Sequence, residues 1–317
     1  MEKPAFWNNT KRYYDLKSYW INRFGGRVYK LPLDAGFTCP NRDGSVAAGG
    51  CIYCDGRGSR LRQAGPLPSV SDQIQQGKAY YRKHRHAGKF IAYFQTFTNT
   101  YGPLDHLRRL YDEALAQEDV IGLSVGTRPD CVPDDVIRLL EGYAQDHHIW
   151  LELGLQSMHD RTLNLINRGH TKDVFVDLVQ RAAGKKIQIC THIIIGLPGE
   201  SRDDILETAR FLAALPIQGI KIHALLALRG TVLGKHYEDG RITLMSCEEY
   251  VRTVCDILEN LPAEMVIQRL TADGYRDIFL APQWAVNKME VLNAIDRELE
   301  RRDTHQGRSA GSALRDA

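Results

Sequence analysis

The sequence predicts an α/β fold: an open, partial (β/α)6 TIM-like barrel with short extensions at both ends. Three observations predict it. Six short apolar segments alternate with stretches of helical spacing between residues 27 and 228, and strands separated by helices build parallel βα units. Six such units are fewer than the eight that close a full barrel. The chain has 317 residues, 43% of them hydrophobic and 25% charged, which suits one large α/β core.

Residues 1–26 are rich in aromatic and basic side chains and are expected to pack across one face as an N-terminal extension. The barrel is expected over 27–230. "RVYKLPLDAGF" opens it and runs into a Gly-rich loop holding Cys39, Cys51 and Cys54. "SVSDQIQQGKAYYRKHRHAG" reads as a helix, followed by strands "KFIAYFQTF" (89–97), "VIGLSVGT" (120–127), "IWLELGLQ" (149–156), "KIQICTHIIIGL" (186–197) and "GIKIHALLAL" (219–228). Helices are expected over 104–117, 133–145, 159–167, 172–184 and 201–214, several after Pro, Asp or Ser start signals. Residues 231–303 read as a helical extension, with a loop "RGTVLGKHYEDG" leading in and helices near 246–260 and 287–302. The tail 304–317 lacks periodicity and is expected to be disordered.

The net charge of +2 and pI of about 8.1 permit a nucleic-acid partner without demanding one. The N-terminus has no apolar run resembling a signal peptide, and no stretch approaches a membrane span. A cytoplasmic protein with no membrane partner is therefore expected. Seven cysteines, in a reducing compartment, argue for metal or redox chemistry rather than a disulfide framework. Cys131, Cys190, Cys247 and Cys255 are scattered and read as small buried residues.

The cluster at 39–54 is different. A closed zinc site or a fully protein-bound iron–sulfur cubane takes four ligands, so three clustered thiols leave one metal position open. The competing reading is a zinc knuckle completed by His84 or His86. Tyr53, inside "CIYC", places an aromatic ring beside the cluster where it could pack on a planar base.

Three cysteines in the first-strand loop, the last two as Cys-x-aromatic-Cys on a six-unit βα chain, resemble the radical S-adenosylmethionine (SAM) enzymes. "ELGLQSMHDRTLNLINRGH" (152–170) and "HIIIGLPGES" (192–201) are similar to the fourth- and fifth-strand motifs shared by oxygen-independent coproporphyrinogen oxidase and the Elongator catalytic subunit. "VGTRPDCVPDDVI" and "IKIHALLALRGTVL" resemble their Elongator counterparts. "TNTYGP", "LAPQW" and "NKMEVLNAID" extend the resemblance, within the YhcC/YtqA-type subgroup, over nearly the whole chain.

The resemblance implies a partial barrel of the radical SAM type. It implies that Cys39, Cys51 and Cys54 hold three irons of a [4Fe–4S] cluster, with S-adenosylmethionine as the missing fourth ligand. One electron then cleaves the cofactor to methionine and a 5′-deoxyadenosyl radical, which abstracts a hydrogen atom from substrate. By position in the motifs, Gln156 and Arg168 would contact the ribose and the methionyl carboxylate. Against this stand a strand-holding hydrogen bond for Gln156 and a surface charge for Arg168. His192 is a ribose contact or a core histidine. Gly196 and Gly199 let the chain pass close to adenine or make a plain turn, and Leu226 packs on adenine or fills the core. Relatives carry a glycine run after the second strand; here "FQTFTNTYG" (94–102) replaces it, leaving Thr98, Asn99 and Thr100 to shape that contact.

The resemblance also implies tRNA as substrate, at a wobble-uridine side chain, and an electron donor of flavodoxin or ferredoxin type. The stretch past the barrel, about 85 residues, is too short for an acetyltransferase domain. The basic aromatic stretches 10–30 and 80–89 could meet phosphates and bases, or form solvated faces with buried aromatics. The same radical chemistry on a small molecule or protein, and a non-catalytic zinc-stabilised nucleic-acid-binding protein, remain as alternatives. Cys131 and Cys190 are hydrogen-atom donors to the substrate radical or simply buried; no catalytic residue is identified.

Overall fold

Every strand of the barrel reads as two interleaved sets of side chains, one meeting helices and one facing a lumen. This follows from the period of two in an extended chain. In a computed structural model, which describes residues 4–56, 66–272, 274 and 276–310, these strands form one parallel sheet. Its strands are β1 (Val28–Leu33), β2 (Lys89–Phe94), β3 (Val120–Thr127), β4 (His148–Gln156), β5 (Gln188–Ile195) and β6 (Gly219–Ala224). A further strand, β8 (Val266–Arg269), pairs in parallel with β6 and completes the order β1-β2-β3-β4-β5-β6-β8. The barrel thus has seven strands rather than six. "VIQR" was missed because its four residues are too few to show a period.

Helices α2 (Val70–Arg85), α3 (Leu104–Leu115), α4 (Asp134–Tyr143), α5 (Asp160–Leu165), α6 (Lys172–Ala182) and α7 (Arg202–Ala213) connect the strands. Their apolar faces pack on outward side chains such as Leu151, Leu153, Ile193 and Ile222 in the main core. After β6 come a short antiparallel pair, β7 (Ala227–Leu228) with β9 (Phe279–Ala281), and helices α8 (Val232–Glu238), α9 (Cys247–Asn260) and α10 (Lys288–Arg301). Ser201 and Ser246 start α7 and α9 with reciprocal capping boxes. The expected loop at "RGTVLGKHYEDG" contains α8, whose first turn is capped by Thr231.

The N-terminal extension, with α1 (Leu16–Phe24), seals the barrel at the N-terminal ends of the strands. Trp7, Tyr14 and Trp20 form a buried cluster with Val28, Ile91, Trp150, Cys190 and Val266. Asp15 bridges to Ile267 at the sheet edge. The tail expected to be disordered is instead packed over 304–310. Gln306 is fully buried and its side chain bonds Tyr14 N–H and the carbonyls of Pro262 and Met265. These glycine- and polar-rich residues are held by hydrogen bonds, which leave no periodicity to read. Residues 311–317 lie outside the described residues. Among the described residues no helix is long and apolar enough to cross a membrane.

His148 sits in this seal against Tyr19, Trp20 and Phe24. Burial, then Arg23 and Lys30, push its pKa from 6.5 down to about 3. The unfolded chain therefore takes up a proton that the folded chain refuses, and stability falls as pH drops from 6.5 towards 4. Urea-unfolding midpoints across that window should fall less steeply in a His148→Gln variant than in the parent.

Candidate active site

The mouth of the barrel is built on the cysteine loop after β1. Turns hold the loop: Arg42 and Asp43 N–H donate to Cys39 O, Gly50 N–H to Asn41 O, and Cys54 N–H to Cys51 O. Ile52 N–H reaches Ile166 O beyond α5, and Ile52 O accepts from Leu233 N–H in α8. The loop is thus pinned to two neighbouring units.

Polar donors surround the sulfurs. Asn41 Nδ2 and Arg168 Nη1 each lie 3.6 Å from Cys51 Sγ, and Arg42 Nη1 lies 3.6 Å from Cys54 Sγ. Arg168 is buried, and its Nη2 donates to Gly154 O at 2.6 Å. Arg128 holds the Arg168 carbonyl while pairing with both oxygens of Asp130. Arg168 Nε and Asn41 Oδ1 are buried without a hydrogen-bond partner. Such cations and amides offer hydrogen bonds to metal-bound thiolates, while burial by itself holds the Cys54 thiol above its ordinary value.

Tyr53 packs among Leu163, Ile166, Leu197, Leu225 and Leu233. Thr98, Asn99 and Thr100 are buried: Thr98 N–H donates to Thr38 O beside Cys39, Asn99 clamps Gly126 O, and Thr100 bonds Thr127. Gln156 ends β4 at φ 77°, a left-handed backbone that a non-glycine residue adopts at a cost of about 1–3 kcal/mol. Gly196 follows β5 at φ 87°, and a Cβ there would come within 3.3 Å of the Met245 side chain. Leu226 belongs to the helix-facing core, whereas its neighbour Leu225 belongs to the cluster against which Tyr53 packs. This favours core-filling for Leu226.

His192 lies one layer deeper, with Nε2 2.9 Å from Glu152 Oε2. Glu152 is fully buried and also binds Lys30, Lys221 and Ser124. Lys221 reaches the Tyr93 hydroxyl, and Lys30 reaches Gln268 Oε1 at 2.7 Å. Burial alone would raise the Glu152 carboxyl; Lys221, Lys30 and His192 hold it well below its ordinary value. Burial and Lys221 bring His192 down to about 4, so the imidazole is neutral at pH 7. Sequence reasoning missed this layer, although charged residues inside the apolar strands "IWLELGLQ" and "GIKIHALLAL" were a readable signal.

The zinc reading fails on placement. His84 and His86 end α2 beside the start of β2, at the sealed end of the barrel, while the cysteines lie at its mouth. Among the described residues, the group of three His, Cys, Asp or Glu ligands close enough for one ion is His159, Asp204 and Glu207. The donors that surround the cysteine sulfurs suit a metal-bound thiolate cluster at the mouth.

Comparison with known proteins gives the class. The Radical SAM superfamily profile matches residues 39–212, and the Radical_SAM C-terminal domain matches 217–301. The chain belongs to the radical S-adenosylmethionine superfamily of enzymes. It is 45% identical over 301 residues to the uncharacterized protein YtqA of Bacillus subtilis, covering 95% of this chain and 94% of that one. It is 26% identical over 163 residues to a tRNA uridine(34) acetyltransferase of Dehalococcoides mccartyi, covering 50% of this chain and 34% of that one. The fold is similar to archaeal Elp3 of Methanocaldococcus infernus, with TM-score 0.61, 17% identity, and 88% of this chain and 64% of that one covered. Membership implies a [4Fe–4S] cluster and S-adenosylmethionine.

A Cβ at Gly154 would sit 2.8 Å from Arg168 Nη2 and 2.6 Å from Gln156 Nε2. Arg168 is buried and already bonded to Gly154 O, so it cannot swing aside cheaply. Gly154→Ala should weaken S-adenosylmethionine binding about tenfold, measured by calorimetry, while iron content stays at the parent level.

Proposed function

We propose that this enzyme acts on transfer RNA, at the side chain of a wobble uridine. The observation that carries the reading is the similarity over half of this chain to a protein named for tRNA uridine 34. In this reading Cys39, Cys51 and Cys54 hold the cluster. Tyr53, Thr98, Asn99, Gln156, Arg168, Gly196 and the neighbourhood of His192 shape the S-adenosylmethionine site. When bound, the cluster and cofactor supply one-electron cleavage of a carbon–sulfur bond and a carbon radical that takes hydrogen from substrate. An electron donor of flavodoxin or ferredoxin type supplies that electron from outside the chain.

The chain's own residues do the positioning. Arg168, with a buried guanidinium and an unused Nε–H, offers a fixed donor beside Cys51. Asn41 and Arg42 steady the sulfurs. The sealed floor of tryptophans keeps water from entering through the far end. RNA contacts move away from the stretches first considered. Tyr13, Tyr14 and Trp20 are buried, and the basic end of α2 lies at the sealed end. Exposed Arg229, Lys235 and Arg276 lie in the segments that follow β6 at the mouth, where Arg229 N–H pairs with Ile278 O.

Anaerobically reconstituted protein given S-adenosylmethionine and dithionite should form 5′-deoxyadenosine, and Cys51→Ala should form none. Adding hypomodified tRNA should yield a changed wobble nucleoside by mass spectrometry. Turnover that survives ribonuclease treatment of the substrate pool would point instead to a small molecule or protein, and a colourless zinc-loaded protein would sink both readings. Arg229→Glu with Lys235→Glu should weaken tRNA binding at every sequence tested. It should also reduce the salt dependence by about one ion per lost phosphate contact.

A further inference from the structure

The layer around Glu152 has more positive charge than negative and lies where a substrate entering the barrel would end. Its inward residues are Lys30, Tyr93, Ser124, Glu152, His192 and Lys221, one from each of six neighbouring strands. At about 3.3 Å per residue, Glu152 stands about 6–7 Å below Gly154, whose carbonyl anchors Arg168. The layer is therefore the next surface beneath the mouth. Below it the lumen is blind, closed by Trp7, Trp20 and Trp150.

Two ammonium groups face one carboxylate here, and their side chains are only 13% and 6% exposed for Lys30 and Lys221. Burial, then Arg269, keeps His223 uncharged as well, so neither histidine supplies a balancing change. The two ammonium groups outnumber the one carboxylate, and Arg269 adds to the positive field at His192 and His223; such an excess in a poorly hydrated space is costly unless an anion answers it. Hydrogen-bonding capacity is also left over. Lys30 uses its three donors on Ser124, Glu152 and Gln268. Lys221 bonds Tyr93 and Glu152, with one N–H remaining among the described residues. His223 Nε2 is buried with no partner, its ring 5.4 Å from that of His192. His192 is itself 20% exposed, so solvent reaches the layer.

We propose that this layer is a subsite for a terminal carboxylate of the substrate, held by Lys221 and His223 with Lys30 supplying charge. A carboxylate answers the positive excess of Lys30 and Lys221 over Glu152. A blind pit admits the end of a group; an internal phosphodiester would have to enter doubled over. The proposal rests on the radical-enzyme reading of the mouth, and it adds the chemistry of the group that lies beneath it.

The test uses full-length, anaerobically reconstituted protein with saturating S-adenosylmethionine, so that the cofactor's own carboxylate is already placed. Acetate and propionate are compared with acetamide and propionamide by saturation-transfer NMR, with inorganic phosphate as competitor, and 5′-deoxyadenosine is measured on the same preparation. The carboxylates should bind and the amides should not. Lys221→Met should weaken acetate about tenfold, and Glu152→Gln, which removes the competing anion while keeping its shape, should strengthen it. A purely structural layer would not move in opposite directions. If Glu152→Gln does not fold, Lys30→Met at the more open edge takes its place and should weaken acetate. Equal binding of amides, variants without effect, or displacement by phosphate far below the acetate concentration would overturn the proposal. Deoxyadenosine formation without carboxylate binding would remove the subsite and leave the radical reading intact; carboxylate binding without deoxyadenosine would do the reverse.

Discussion

The ion cluster around Glu152 is the constraint on which the barrel depends. Its carboxylate binds Lys30 from β1 and Lys221 from β6, and it holds His192 from β5 and Ser124 from β3. Lys30 then reaches Gln268 on β8, so the first and last strands, which share no backbone hydrogen bonds, meet through side chains. A curved sheet whose first and last strands do not pair has no intrinsic reason to stop at one curvature. A charge centre that must be satisfied from several walls at once supplies that reason, because breaking one arm leaves an uncompensated buried ion worth several kcal/mol.

The same centre sorts the lumen by depth. Below it side chains are aromatic and dry; above it lie Gly154, Gln156 and the sulfur loop, where polar donors face thiols. Glycine at 154 is required where Arg168 crosses the strand, and the left-handed backbone at Gln156 turns the chain off the sheet into α5. The strained backbone at Gln156 thus sits at the mouth, on a barrel that the charge centre and the sealed floor hold rigid enough to bear it.

The alternation of strands and helices was legible because both periods persist over many residues, and the cysteine loop was legible because thiol spacing is a chemical constraint. Four-residue β8 and the seven-residue α8 carry too little pattern to read. The aromatic N-terminus was ambiguous for a different reason: Tyr14 and Trp20 suit a stacking surface or a core equally, and only their burial against Trp150 decides. Glu152 and Lys221 looked like interruptions in apolar strands, since sequence does not show that β4 and β6 aim them at each other across β5. Leu226 and Leu225 show the sharpest limit, where a step of one residue changes which side of the wall a side chain meets.

The seal at the floor joins stretches far apart in the sequence: Gln306 holds Tyr14, and Arg12 meets Asp303 and Thr304. Partners nearly three hundred residues apart must both exist before this contact forms, so it comes after every strand of the barrel has been made. Trp7, Trp20 and Trp150, which line the floor, are all in place by then. The vessel is lined early and latched late.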